Sequence, residues 1–153
     1  MKKITFFLIV VIFSGACRIT PEEKEIIIDP NSVNDIHVCK WAGLDGFQPV
    51  IIILKKDSFA LLKLDGKIFG DKDFIIDGVK AECKYEIDYS KKPIWLDIVF
   101  YEAETKFEFG RFKGIVKFLT NDKMIFRVAF EGERKDKFDM KDLETNITLK
   151  KVL

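Results

Sequence analysis

A chain of 153 residues that is 48% hydrophobic and 33% charged, with a formal net charge of +1, has the size and composition of one folded domain. That balance excludes a disordered acidic tail and a multi-span membrane protein, and it supplies no basic stripe for nucleic acid. One histidine, His37, and few serines leave too little for a hydrolase triad.

The chain opens with Lys2 and Lys3, followed by Ile4 to Phe13, where only Thr5 is polar. Small residues, Ser14, Gly15 and Ala16, then precede Cys17. The apolar run is well short of the roughly 20 residues that span a bilayer, so it reads as a secretory signal. Gly15-Ala16-Cys17 resembles the lipobox of bacterial lipoproteins and departs from it at Ser14, where an aliphatic residue is usual. The resemblance implies a signal peptide over 1–16 and lipid attachment at Cys17. It also implies anchoring in the bacterial cell envelope, in the outer membrane ahead of the inner. Two or three acyl chains hold a protein firmly where one holds it marginally. Residues 17–32, with Pro21, Pro30 and Glu22-Glu23-Lys24-Glu25, form a tether, with a short strand at Ile26-Ile27-Ile28. The acidic cluster suits surface display or plain solubility.

From residue 33 to 153 the apolar pattern has period 2, which predicts half-buried antiparallel strands. Cys39 and Cys83 fall in this region. Outside the cytoplasm such a pair either closes a disulfide, stabilising by about 4 kcal/mol, or packs as two small apolar thiols. Tyr85, Ile87 and Tyr89 alternate with Lys84, Glu86 and Asp88. Ile94, Leu96, Ile98 and Phe100 alternate with Trp95, Asp97, Val99 and Tyr101. Phe112, Gly114, Val116 and Phe118 share a face, as do Met124, Phe126, Val128 and Phe130, and then Ile147 and Leu149. Asp45-Gly46, Asp65-Gly66, Asp77-Gly78 and Asn121-Asp122 supply hairpin turns, and Ser90-Lys91-Lys92-Pro93 a longer corner. Only Asp136 to Glu144 offers a short helix.

Strands of this length and hairpin spacing predict an all-β, antiparallel up-and-down barrel of about eight strands, with a sandwich as the other solution. Such a barrel either fills its interior with side chains or keeps room for one small ligand. The expected walls are Tyr85, Ile87, Ile98, Phe100, Phe118, Met124 and Phe126, with Phe130 on the same face.

Asp45-Gly46-Phe47-Gln48-Pro49-Val50, Tyr85-Glu86-Ile87-Asp88, Lys91-Lys92-Pro93, Leu96-Asp97-Ile98, Gly114-Ile115 and Arg134 to Phe138 together resemble a family of small bacterial lipocalin-like proteins. Lys135 stands where that family has Pro, and Trp41 is all that remains of its Gly-x-Trp opening strand. The resemblance covers about residues 41 to 152 and implies a lipocalin-like, calycin-type barrel. It also implies Trp41 packed beneath Arg134 by cation–π contact. It brings neither a ligand nor a catalytic residue.

Residues with chemistry are sparse. His37-x-Cys39 lacks the further ligands of a zinc site, and Asp71-x-Asp73 with Asp77-Gly78 misplaces the glycine of a calcium loop. Ser32, Ser58 and Ser90 sit in no nucleophile elbow. Glu102 and Glu104 have the spacing of a solvated hairpin tip, and Arg127 is expected to face outward. No metal, cofactor or enzymatic activity is expected. Two functional readings follow. In the first, an anchored barrel holds a small hydrophobic or amphipathic ligand. In the second, a filled barrel acts through its surface as an envelope structural or interaction module, with an apolar patch around Trp95, Val99 and Tyr101.

Overall fold

The computed structural model describes residues 36–139 and 146–152. The signal, Cys17, the tether and the strand expected at 26–28 lie outside them. The alternating segments form ten strands: β1 (Lys40–Asp45), β2 (Gln48–Leu54), β3 (Ala60–Leu64), β4 (Lys67–Gly70), β5 (Phe74–Ile76), β6 (Val79–Asp88), β7 (Ile94–Glu102), β8 (Glu108–Thr120), β9 (Lys123–Ala129) and β10 (Asn146–Val152). All pairings are antiparallel, in the order β4-β3-β2-β1-β10-β9-β8-β7-β6-β5. Each strand lies beside its neighbour in the chain except at β4 and β5, and β10 returns to β1.

The sheet curls until its two flanks meet. Tyr85 N–H donates to the Ser58 carbonyl at 2.9 Å and Cys83 N–H to the Asp71 carbonyl at 2.8 Å. An isolated bridge joins Phe59 to Lys84. Gly70, at φ +112°, brings the chain so close to this seam that a Cβ would stand 2.5 Å from the Ala60 carbonyl oxygen. The result is a nearly closed up-and-down barrel.

Ten strands replace the expected eight or so. The shortest are β4 and β5, of four and three residues, which flank the expected Asp65-Gly66 and Asp77-Gly78 turns. The expected helix is missing as far as it is described: Asp136 to Asp139 are irregular, and 140–144 lie outside the described residues. Phe130 was expected inside, but β9 ends at Ala129, and Phe130 sits beyond it at the mouth, 49% exposed.

Registers divide the hairpins between two ends. Lys40 faces both Ile53 and Val152, and Lys150 faces Lys123. That places the start of β1 with the β2–β3, β6–β7 and β8–β9 turns. Leu44 faces Thr148 and Lys113 faces Ala129. The β1–β2, β3–β4, β5–β6 and β7–β8 tips therefore share the opposite end with the exit of β9. The described chain enters at the first of these, the polar end, while the second is the apolar end.

Candidate functional site

The interior comes first, because the expected ligand walls lie there. Tyr85, Ile98, Phe100, Phe118, Met124 and Phe126 all belong to one continuous core, and Ile87 packs against it. The period-2 reading therefore put every one of the seven on the correct face. Among the described residues those side chains pack against one another as a single core. Toward the apolar mouth, between Val50, Leu62, Leu64, Phe112, Phe126 and Phe130, the void amounts to about 20 Å³. That is room for about one water molecule, where a ligand pocket offers several hundred Å³.

At the polar end the closure is directional. His37 sits at 6% exposure in the turn before β1. The Tyr85 hydroxyl donates to the Lys55 carbonyl at 2.8 Å, so its oxygen is left to accept from His37 Nε2 at 3.2 Å. With the imidazole neutral, that leaves His37 Nδ1 to accept from the Tyr89 hydroxyl at 2.7 Å. Trp41, fully buried, donates Nε1–H to the His37 carbonyl at 2.9 Å and packs on Phe118.

Cys39 and Cys83 are two free thiols, half-buried and buried. Burial, with the Asp71 carboxylate nearby, pushes the Cys83 thiol up to about 12.

Arg134 does not reach Trp41. It lies over Trp95, its guanidinium carbon 4.1 Å from the ring centroid, because the chain after β9 crosses the outer face of the barrel. There it donates to both oxygens of Asp97, at 2.8 Å for Oδ2, and to the Gly114 carbonyl at 2.6 Å. Asp97 also accepts from Gly114 N–H at 3.1 Å and from Arg111, which in turn holds Glu86 and Glu108. Burial would raise the Asp97 carboxyl, but the donors from Arg134, Gly114 and Arg111 outweigh it and hold the group below the usual carboxylate range. A Cβ at Gly114 would stand 2.4 Å from the Leu96 carbonyl oxygen and 2.4 Å from the Phe126 ring. Arg127 faces outward as expected and donates to the Lys137 carbonyl. This wall cluster is a lock: every oxygen of Asp97 is engaged by the protein itself.

The patch expected around Trp95, Val99 and Tyr101 does not form. Val99 is fully buried, and Trp95 lies under Arg134 with Lys91 also over its ring.

Exposed apolar surface gathers instead at the apolar end. Eleven large apolar side chains stand exposed among the described residues, and all but Trp95 and Val152 come from this end. Leu44 and Phe47 project from the β1–β2 tip, Ile68 from β4, Ile75, Ile76 and Val79 from the β5–β6 hairpin, Phe107 and Phe109 from the β7–β8 tip, and Phe130 from the exit of β9. Ile76, Val79, Phe107 and Phe109 line one cleft of about 330 Å³ with Asp77 and Glu102. Inside the ring, Phe69, Phe74, Phe109 and Phe112 surround Phe100, and Phe130 meets Phe112 edge-on at 5.0 Å. The rim is the outer layer of an aromatic plug. Its signal in the sequence is a Phe or Ile within three residues of each Asp-Gly turn, and only the topology brings the tips together.

Comparison with family models, with curated proteins and with solved structures returned no match.

Proposed function

We propose that this protein is a lipid-anchored envelope lipoprotein whose filled barrel serves as an interaction module, touching its partner through the apolar rim. The observation that carries this reading is the distribution of apolar side chains. Among the described residues they form one core with a void of about 20 Å³ toward the mouth, and further apolar groups stand in solvent at one end. A small ligand inside would have to displace Phe112, Phe126 and their neighbours from a shared core. Soluble domains rarely concentrate exposed apolar groups in this way unless a partner covers them. The anchor rests on Gly15-Ala16-Cys17 and supplies the envelope location, while the barrel supplies the contact surface. In this reading Asp97 and the two arginines act as structure, tying the chain after β9 to the wall.

The test is a photo-crosslinking amino acid placed at Phe47, 99% exposed, and separately at Asn121 in the β8–β9 turn of the opposite end. In the native host the Phe47 position is expected to give a discrete protein adduct that the Asn121 position does not. Adducts of equal yield from both ends, or none from Phe47, overturn the reading.

A further inference from the structure

Charge divides the barrel as sharply as hydrophobicity does. At the polar end Lys55 pairs with Asp71 and Lys72 with Asp57. Beyond these pairs, Lys40, Lys56, Lys91, Lys92, Lys150 and Lys151 are exposed there, from four separate segments, against Asp73, Asp88 and Asp122. At the apolar end the balance reverses. Asp45, Asp65, Asp77, Glu104 and Glu131 stand among the exposed apolar groups, with Lys67 and Lys80 as the exposed cations of the hairpin tips besides Lys106, which is held by Glu82; Glu133, Lys135 and Asp136 belong to the wall, in one cleft with Lys92 and Pro93. The described chain enters at the basic end, where Ile36 and His37 lead into Lys40.

We infer that the basic end is a second membrane contact, lying against anionic lipid headgroups beside the anchor and pointing the apolar, acidic rim away from the bilayer. The inference rests on the anchored reading for its setting, but its chemistry belongs to the barrel. The barrel's own charges are what would set its orientation at such a surface. An anionic leaflet attracts lysines within a Debye length and repels the acidic rim. Several lysines from separate turns on one end of a rigid barrel are read together, as a polybasic face. Each keeps its flexible stem, so none requires a shaped pocket.

The experiment uses the chain from residue 17 onward with Cys17→Ser, which retains every described strand and carries neither signal nor acyl chains. Sedimentation is measured with vesicles of phosphatidylcholine alone and with vesicles containing 30% phosphatidylglycerol. Binding is expected only to the anionic vesicles and is expected to fall steeply with salt. The triple variant Lys91→Gln, Lys92→Gln, Lys151→Gln should weaken it about a hundredfold, at roughly a factor of five per lysine near such a surface. Lys67→Gln with Lys80→Gln, at the other end, should leave it unchanged. All variants should melt with the parent. Absence of anionic binding overturns the inference, as does equal loss from the two sets of lysines. Binding to phosphatidylcholine that Phe47→Ser and Phe107→Ser abolish also overturns it, since the rim would then be the membrane contact. The mass of Cys17 in the lipoprotein purified from its membrane, with or without diacylglycerol, reports separately on the anchor.

Discussion

The two ends of this barrel are closed by opposite means. At the polar end a histidine, two tyrosines and a tryptophan share hydrogen bonds of fixed direction, so His37, Tyr85, Tyr89 and the Lys55 carbonyl each accept one geometry. At the apolar end Phe69, Phe74, Phe100, Phe109, Phe112 and Phe130 close the mouth by ring packing. Aromatic pairs tolerate a range of tilts, whereas a buried hydroxyl without its partner does not. The polar end is thereby fixed, and the apolar end can hold exposed phenylalanines without losing the fold. A surface that meets a partner is better placed at the second.

Substitutions at the two ends and on the wall between them should therefore differ in cost. The largest effect belongs to the wall. Asp97→Ala leaves half-buried Arg134 without its carboxylate and the Gly114 amide without its acceptor, while Arg111 keeps Glu86 and Glu108, and urea unfolding at pH 7 should show a loss of about 3–5 kcal/mol. Acid should expose the same group. Because the folded Asp97 carboxyl lies below its unfolded value, its contribution is present above about pH 4, where the unfolded carboxyl is ionised. It is lost as pH falls through the folded value. An Asp97→Asn variant should accordingly show a flatter decline in urea midpoint below about pH 4 than the parent.

Next comes the polar end, where Tyr85→Phe removes one hydroxyl without opening a cavity. It should still cost about 1–3 kcal/mol by thermal or urea unfolding, since His37 Nε2 loses the Tyr85 oxygen and the Lys55 carbonyl keeps only the Ser58 amide of its two donors. At the apolar end Phe112→Leu, a change of shape in an adaptable cluster, should cost less than about 1.5 kcal/mol. A loss larger than that of Tyr85→Phe would reverse the comparison. Smallest of all, Phe47→Ser should shift stability by no more than about 0.5 kcal/mol, as befits a side chain 99% exposed.

Much of the architecture was legible in the sequence because a period of 2 survives wherever a strand is long and half-buried. β6, β7, β8 and β9 run seven to thirteen residues, and their inward sets read correctly down to Tyr85, Ile98, Phe118 and Met124. β4 and β5 showed only through the Asp65-Gly66 and Asp77-Gly78 turns beside them, since three or four residues carry no period. Val99 and Ile115 alternate outward and yet are fully buried. Burial of the outer face depends in part on the chain after β9 crossing it, and a strand pattern cannot report that. The same crossing carries Arg134 to Trp95 in place of Trp41. The rim was hidden for a related reason. Phe47, Ile76 and Phe107 lie far apart in the chain, and each alone reads as the end of a strand. Their meeting is a property of barrel closure.

The central claim is that the barrel is full and the rim is the working surface. Native mass spectrometry of the protein purified without detergent from a bacterial periplasm, as the chain from residue 17 with Cys17→Ser, tests its first half directly. The bare polypeptide mass and no uptake of a fluorescent fatty acid are expected. A reproducible added mass that vanishes on denaturation, and that shifts in occupancy with Phe126→Ala, would contradict that claim.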